Sequence, residues 1–153
     1  MRPVHLLLWG ILAIAGSNHD STLLALESAP QQRENCTIEL ISEAAAIRSG
    51  ESFTVGIWIK MEPGWHTYGD NPGDSGMPTR VEWILPEGFR AGEIQWPAPK
   101  RFVNGIITNF GYEKEVILLT EITPAETLPK EIEAEVPLTA KVSWLLCNED
   151  ICI

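Results

Sequence analysis

From Ile132 to Leu146 the chain is apolar at every second position: Ile132, Ala134, Val136, Leu138, Ala140, Val142, Trp144 and Leu146, with mostly polar residues between them. A period of two belongs to an extended strand with one buried face, because successive side chains leave a strand on opposite sides. Pro137 has no amide hydrogen for a ladder, so it predicts a break or an edge position within this stretch. The same alternation recurs upstream. Cys36, Ile38 and Leu40 alternate with Thr37, Glu39 and Ile41, and Phe53, Val55, Ile57 and Ile59 alternate with Thr54, Gly56, Trp58 and Lys60. Shorter strands are predicted over 65–68, 79–85, 91–96 and 116–122. Between them, 69–78 is rich in Gly, Pro, Asn and Asp, and 123–131 is polar with Pro124 and Pro129, so both are expected to be loops. No stretch has the 3.6-residue period of a long amphipathic helix, and 42–47 could form one turn at most. About seven short strands joined by Gly/Pro turns predict an all-β, immunoglobulin-like β-sandwich.

The amino terminus has a different character. Met1-Arg2-Pro3-Val4-His5 is short and basic, 6–15 is an apolar run interrupted by Gly10, and Ala13-Ile14-Ala15 is a small-x-small site. This is the pattern of a secretory signal peptide, expected over 1–15 and too short to span a bilayer. A polar, flexible leader is expected over 16–34, and the folded domain over 35–153. No later stretch reaches membrane-spanning length, so the mature chain is expected to carry no membrane span. The formal net charge is −10, from 21 acids against 11 bases. That balance disfavours nucleic acid, whose phosphates need clustered Lys and Arg, so nucleic acid is not an expected partner.

Export changes how the three cysteines are read, because a close pair can be oxidised outside the cytoplasm. In Cys147-Asn148-Glu149-Asp150-Ile151-Cys152 the two thiols are five residues apart. A fully extended chain would hold their Cα atoms ~17 Å apart, whereas a disulfide needs about 7 Å or less. Asn-Glu-Asp is turn-prone, so the chain can fold back between them. A loop this small restricts the unfolded chain less than a long-range bridge does. The pair therefore suits exchange better than stapling; an ordinary hairpin disulfide is the other reading. The alternation puts Leu146 on the buried face and Cys147 on the opposite one, where a partner could reach it. Glu149 and Asp150 would raise a neighbouring thiol pKa, which suits a pair attacked by partners rather than a potent nucleophile. Cys36, in register with Ile38 and Leu40, is expected to be a buried free thiol. His66 is expected to be a partly buried structural residue. A metal site built from His66, Cys147 and Cys152 has no support in the spacing, and neither a metal nor any other cofactor is expected.

Five ordered blocks resemble one family. They are Pro63-Gly64-Trp65-His66-Thr67-Tyr68, Asn71-Pro72-Gly73-Asp74-Ser75-Gly76, Ile94-Gln95-Trp96-Pro97-Ala98-Pro99, Phe110-Gly111-Tyr112, and Val142-Ser143-Trp144-Leu145-Leu146-Cys147. The resemblance is to the periplasmic amino-terminal domain of DsbD-type thiol:disulfide interchange proteins, especially their ScsB-like branch, and it runs from about residue 36 to 153. It implies an immunoglobulin-like domain that takes electrons from a DsbD-type transmembrane donor domain. Such a domain passes them to periplasmic thioredoxin-like proteins or disulfide isomerases, in disulfide reduction, cytochrome c maturation or copper tolerance. By position it implies Cys147 and Cys152 as the exchanging pair. Phe110 would be an aromatic cap over them, with Tyr112 its neighbour and Tyr68 a further aromatic near the site. The order expected is a mixed disulfide on Cys147 that Cys152 resolves. Members of the family usually continue past the second cysteine, whereas this chain stops at Ile153, so a domain truncated at its carboxyl end is expected. Gly69 stands where a larger residue is expected. Two other readings are a non-catalytic binding module with a structural disulfide, and a copper- or zinc-binding protein.

Overall fold

The computed structural model describes residues 4–8, 26–44, 47–127 and 138–153. These residues form an all-β sandwich of the immunoglobulin-like class, as the alternation predicts. Its strands are β1 (Val4–Leu8), β2 (Leu26–Glu27), β3 (Gln31–Arg33), β4 (Cys36–Ser42), β5 (Phe53–Met61), β6 (His66–Gly73), β7 (Arg80–Ile84), β8 (Arg90–Gln95), β9 (Lys100–Asn104), β10 (Ile107–Glu113), β11 (Glu115–Thr123) and β12 (Leu138–Ser143). They make three sheets, ordered β2-β4-β5-β11-β8 with β3 also on β4, β1-β12-β7, and β6-β10-β9.

The core follows from the alternation. Ile38 and Leu40 of β4, Phe53, Val55, Ile57 and Ile59 of β5, Val116, Leu118 and Ile122 of β11, and Leu138, Ala140 and Val142 of β12 are all buried in one cluster. Removing these apolar side chains from water is the main force holding the sheet of β4, β5 and β11 against the sheet of β12. At Gly56, paired between Ile41 and Leu119, a Cβ would press on the Ile41 and Ile117 side chains, so only glycine fits between those two branched residues. Trp65, Trp83, Trp96 and Trp144 pack against the edge of the cluster. Trp58 stays on the outer face, where it donates to the Glu115 carboxylate at 2.9 Å and carries the Lys60 ammonium 3.4 Å above its ring.

The strands depart from the sequence expectation in three places. The loop expected over 69–78 is strand as far as Gly73, because β6 continues along β10 past an irregularity in register between Asn109 and Gly111. Ladder pairing overrides the turn propensity of Asn71-Pro72-Gly73 there. Residues 100–113, not expected as strands, form the β9–β10 hairpin, which turns at Gly105-Ile106 with Gly105 at φ 62°. The leader expected over 16–34 is in part folded: β2 and β3 pair with β4, and Ser28 exchanges hydrogen bonds with the Leu40 backbone at 2.8 and 2.9 Å. Val4–Leu8, inside the segment with signal-peptide character, runs antiparallel along β12. The strand expected upstream of Leu138, the second half of the loop expected over 123–131 and the proposed cleavage site at Ala15 lie outside the described residues.

Candidate redox site

β12 ends at Ser143, and the chain then leaves that sheet. Three residues later it reaches β6. The Thr67 hydroxyl donates to the Leu145 carbonyl at 3.0 Å. His66 and Cys147 exchange backbone hydrogen bonds, His66 N–H to the Cys147 carbonyl at 2.9 Å and Cys147 N–H to the His66 carbonyl at 3.0 Å. The chain reverses at once. Leu146 and Ile153 pair through two backbone bonds of 3.0 and 2.8 Å, and Asn148 N–H donates to the Ile151 carbonyl at 3.0 Å. The Asn148 side-chain oxygen accepts from the amides of Asp150 and Ile151, both at 2.8 Å, which closes the turn as an Asx turn. This brings the Cys147 and Cys152 Cα atoms to 4.1 Å, and the two sulfurs form a disulfide.

The two cysteines differ sharply in access. Cys147 is 2% exposed, whereas Cys152 lies on the surface between Ile151 and Ile153, themselves 54% and 40% exposed. This corrects the face assigned from sequence. Leu146 and Cys147 are both buried, because the alternation of β12 stops at Ser143 and Cys147 is placed by pairing with a different sheet.

Above Cys147 sits Tyr68, whose hydroxyl donates to the Cys147 sulfur at 3.1 Å. Tyr68 is 3% exposed, and burial raises its pKa, so the phenol stays protonated and able to donate at neutral pH. The His66 ring stands edge-on to Tyr68 at 5.3 Å between centroids and leans on Phe102 at 5.1 Å. Burial lowers the His66 pKa, with the Glu113 carboxylate opposing, so at neutral pH the ring is an uncharged wall of the site. Phe102 was not singled out from sequence. The signal available was the Asn104-Gly105 dipeptide, which marks a hairpin and makes 100–104 a strand.

Phe110 and Tyr112, the aromatic residues the resemblance points to, lie in β10 rather than in a loop. Phe110 is half-buried and stands opposite Arg101 of β9, just before Gly111, which pairs with Tyr68. Tyr112 is buried and its hydroxyl donates to the Pro97 carbonyl at 2.7 Å, tying β10 to the segment after β8. Gly69 is buried, but a Cβ there would meet Pro99, the Phe110 carbonyl and the Tyr112 hydroxyl only at ordinary contact distances of 3.5 to 3.7 Å.

The third cysteine is a separate matter. Cys36 is buried and unpaired, with the Trp144 side chain acting on its thiol. Burial pushes its thiol up to about 11, with Trp144 and Arg33 pulling the other way and Glu62 adding to the rise. A thiol held protonated at neutral pH is a poor nucleophile, so Cys36 serves the core as a small apolar residue. Among the described residues, no three His, Cys, Asp or Glu side chains gather closely enough to hold a metal ion.

Comparison with known proteins finds a family and a fold match. The family model described as thiol:disulfide interchange protein DsbD, N-terminal, matches residues 38–153. A solved structure, the N-terminal periplasmic domain of ScsB from Proteus mirabilis, superposes with a TM-score of 0.63 at 18% sequence identity. The match covers 85% of this chain and 48% of that one, so this chain spans about half the length of the domain it resembles. No curated relative matches the chain.

Proposed function

Since the chain belongs to the family of DsbD amino-terminal domains, we propose that it is a periplasmic thiol–disulfide exchange domain, with Cys147 and Cys152 as its exchanging pair. The observation that carries this reading is the asymmetry of the disulfide: Cys152 is an exposed residue, Cys147 is buried under a hydroxyl donor, and both lie in a hairpin too short to staple distant parts of the fold. Exchange needs one cysteine of the pair that an incoming thiolate can reach, and exposed disulfides are more readily exchanged than buried ones. The order of events then reverses the one expected from sequence. Cys152 receives the partner thiolate and forms the mixed disulfide, and Cys147 is the sulfur that leaves and later resolves. The direction, reduction of thioredoxin-like or isomerase partners with electrons from a membrane donor domain, is the one the family membership suggests, and the proposed export rests on the signal-peptide pattern of residues 1–15.

The reduction potential of the pair is the direct test. Between roughly −270 and −120 mV, the span of known exchange proteins, it supports a redox carrier; below about −300 mV it marks a structural disulfide and favours a plain binding module. Intact mass of the same protein, purified from a periplasmic extract, reads whether the chain begins at Gly16, as cleavage after Ala15 requires.

Phe110 is proposed as the shield of the pair, by its place in β10 beside the residue that faces Tyr68. Phe110→Ala should speed reaction of the oxidised protein with glutathione, on the order of threefold or more, because access limits attack on a sulfur. Equal rates for the two proteins would remove Phe110 from the site.

A further inference from the structure

The stretch after β6, from Asp74 to Pro78, is an exposed Asp-Ser-Gly-Met-Pro segment that exchange chemistry alone does not account for, yet it is fastened at many points. Asp74 N–H donates to the Thr108 carbonyl at 2.9 Å, and the Asp74 carboxylate accepts from Thr108 N–H at 2.8 Å. Ser75 N–H donates to the Asn109 side-chain oxygen at 3.0 Å, and the Asn109 amide donates back to the Ser75 hydroxyl at 2.9 Å. Pro78 pairs with Tyr68. Between these anchors Gly76 adopts a φ of 96° and lies flat on the Tyr68 ring, so close that any side chain there would overlap the ring carbons. The segment holds the tyrosine in one position, and in that position its hydroxyl reaches the Cys147 sulfur.

We infer that Tyr68 is a positioning residue for exchange. Its hydroxyl carries the charge of the Cys147 sulfur as that sulfur leaves the disulfide, and the segment from Asp74 to Pro78 clamps it in place. The inference rests on the exchange reading above. The step balances as follows. A partner thiolate attacks the sulfur of the exposed Cys152, a partner–Cys152 disulfide forms, and the Cys147–Cys152 bond breaks. The electron pair of that bond stays on Cys147 as a thiolate, which accepts the hydrogen bond from Tyr68. In the reverse direction the same thiolate, already formed and oriented, attacks Cys152 and expels the partner. A buried thiolate with no donor would be costly, and here the donor is in place before the charge appears.

The experiment is Tyr68→Phe in the otherwise unchanged chain, which keeps the ring under Gly76 and removes only the hydroxyl. Two quantities are read. One is the pKa of Cys147 in the reduced protein, from the pH dependence of its 13Cβ chemical shift. The other is the rate at which a small thiol opens the disulfide. Loss of the donor should raise the pKa by about one unit, a tenfold change in thiolate population. It should slow opening roughly threefold, as expected when the leaving thiol becomes more basic. A second variant, with 3,5-difluorotyrosine at position 68, makes the phenol more acidic and so a stronger donor; read below the pH at which that phenol itself ionises, it should speed opening of the disulfide. A merely structural tyrosine would not shift the opening rate in opposite senses in the two variants. Cys147 titrating alike in the wild type and Tyr68→Phe overturns the inference. That result leaves the exchange reading standing if the wild-type potential falls in the exchange range, whereas a potential below that range sinks the exchange reading whatever Tyr68 does.

Discussion

Cys147→Ser should accumulate a stable mixed disulfide between Cys152 and a partner, and Cys152→Ser should accumulate almost none. The reason is access. An incoming thiolate must approach a sulfur along the line of the bond it breaks, and Cys147, 2% exposed with Tyr68 over it, offers no such line. Cys152 lies on the surface at the end of the hairpin. With Cys147 replaced, the resolving sulfur is gone and the adduct on Cys152 persists. With Cys152 replaced, the remaining thiol is buried, so capture should fall by at least about tenfold. Loss of the disulfide does not by itself explain either result. The closed loop is short, and the entropic estimate for a loop of this size is about 2 kcal/mol, so both variants lose the same modest stability and should remain folded. Non-reducing electrophoresis of each variant, exposed to an oxidised thioredoxin-like protein, reads the difference. Capture on Cys147 at a rate equal to that on Cys152 would falsify the assigned order. Cys36 serves as the internal control, since its buried, protonated thiol should capture nothing in either variant.

The parts of this molecule that were legible in the sequence are those where one strand face is buried and the other is not. β4, β5, β7 and β11 carry that alternation and fall within a residue or two of where the pattern places them, and β8, with only Ile94 partly buried, is bounded instead by Gly88 before it and Pro97 after it. β9 and β10 break that rule. In β9 only Phe102 is even partly buried, so there is no alternation of polarity to read, and the strands exist because they pair with each other and with β6. β6 hides its length for the opposite reason: Asn71-Pro72-Gly73 has the composition of a turn but is held extended against β10. The site was legible in the same uneven way. Six residues with a turn between two cysteines are enough to suggest the pair, and the resemblance adds Tyr68 to it. Which cysteine is exposed was not legible. That is decided by His66 and Thr67, some eighty positions upstream, which take the backbone of 145–147 into a sheet that local alternation cannot foresee. The role of Gly76 is likewise a contact across the fold, readable from sequence only as one more turn glycine.

Gly111→Ala should be the most damaging single-methyl substitution in the site, while Gly69→Ala, on the neighbouring strand of the same sheet, should be tolerated. Gly111 pairs with Tyr68, and a Cβ there would fall on the Thr67 carbonyl oxygen and press on the Tyr68 Cα at 3.0 Å. Those are backbone atoms and cannot rotate away, so β6 and β10 must separate. Overpacking against backbone costs about 3 kcal/mol or more. It also shifts the strand that carries Thr67, His66 and Tyr68, all of which hold or touch the 145–147 segment. The loss should therefore appear twice, as a lower denaturation midpoint at unchanged slope and as slower exchange at denaturant concentrations where the protein is still folded. At Gly69 the added methyl meets only ordinary contacts, so the change should lie between neutral and about 1 kcal/mol stabilising, by narrowing the unfolded ensemble. If Gly111→Ala unfolds at the wild-type midpoint, β6 and β10 are not held as closely as their pairing requires, and the rigid placement of Tyr68 over Cys147 fails with it.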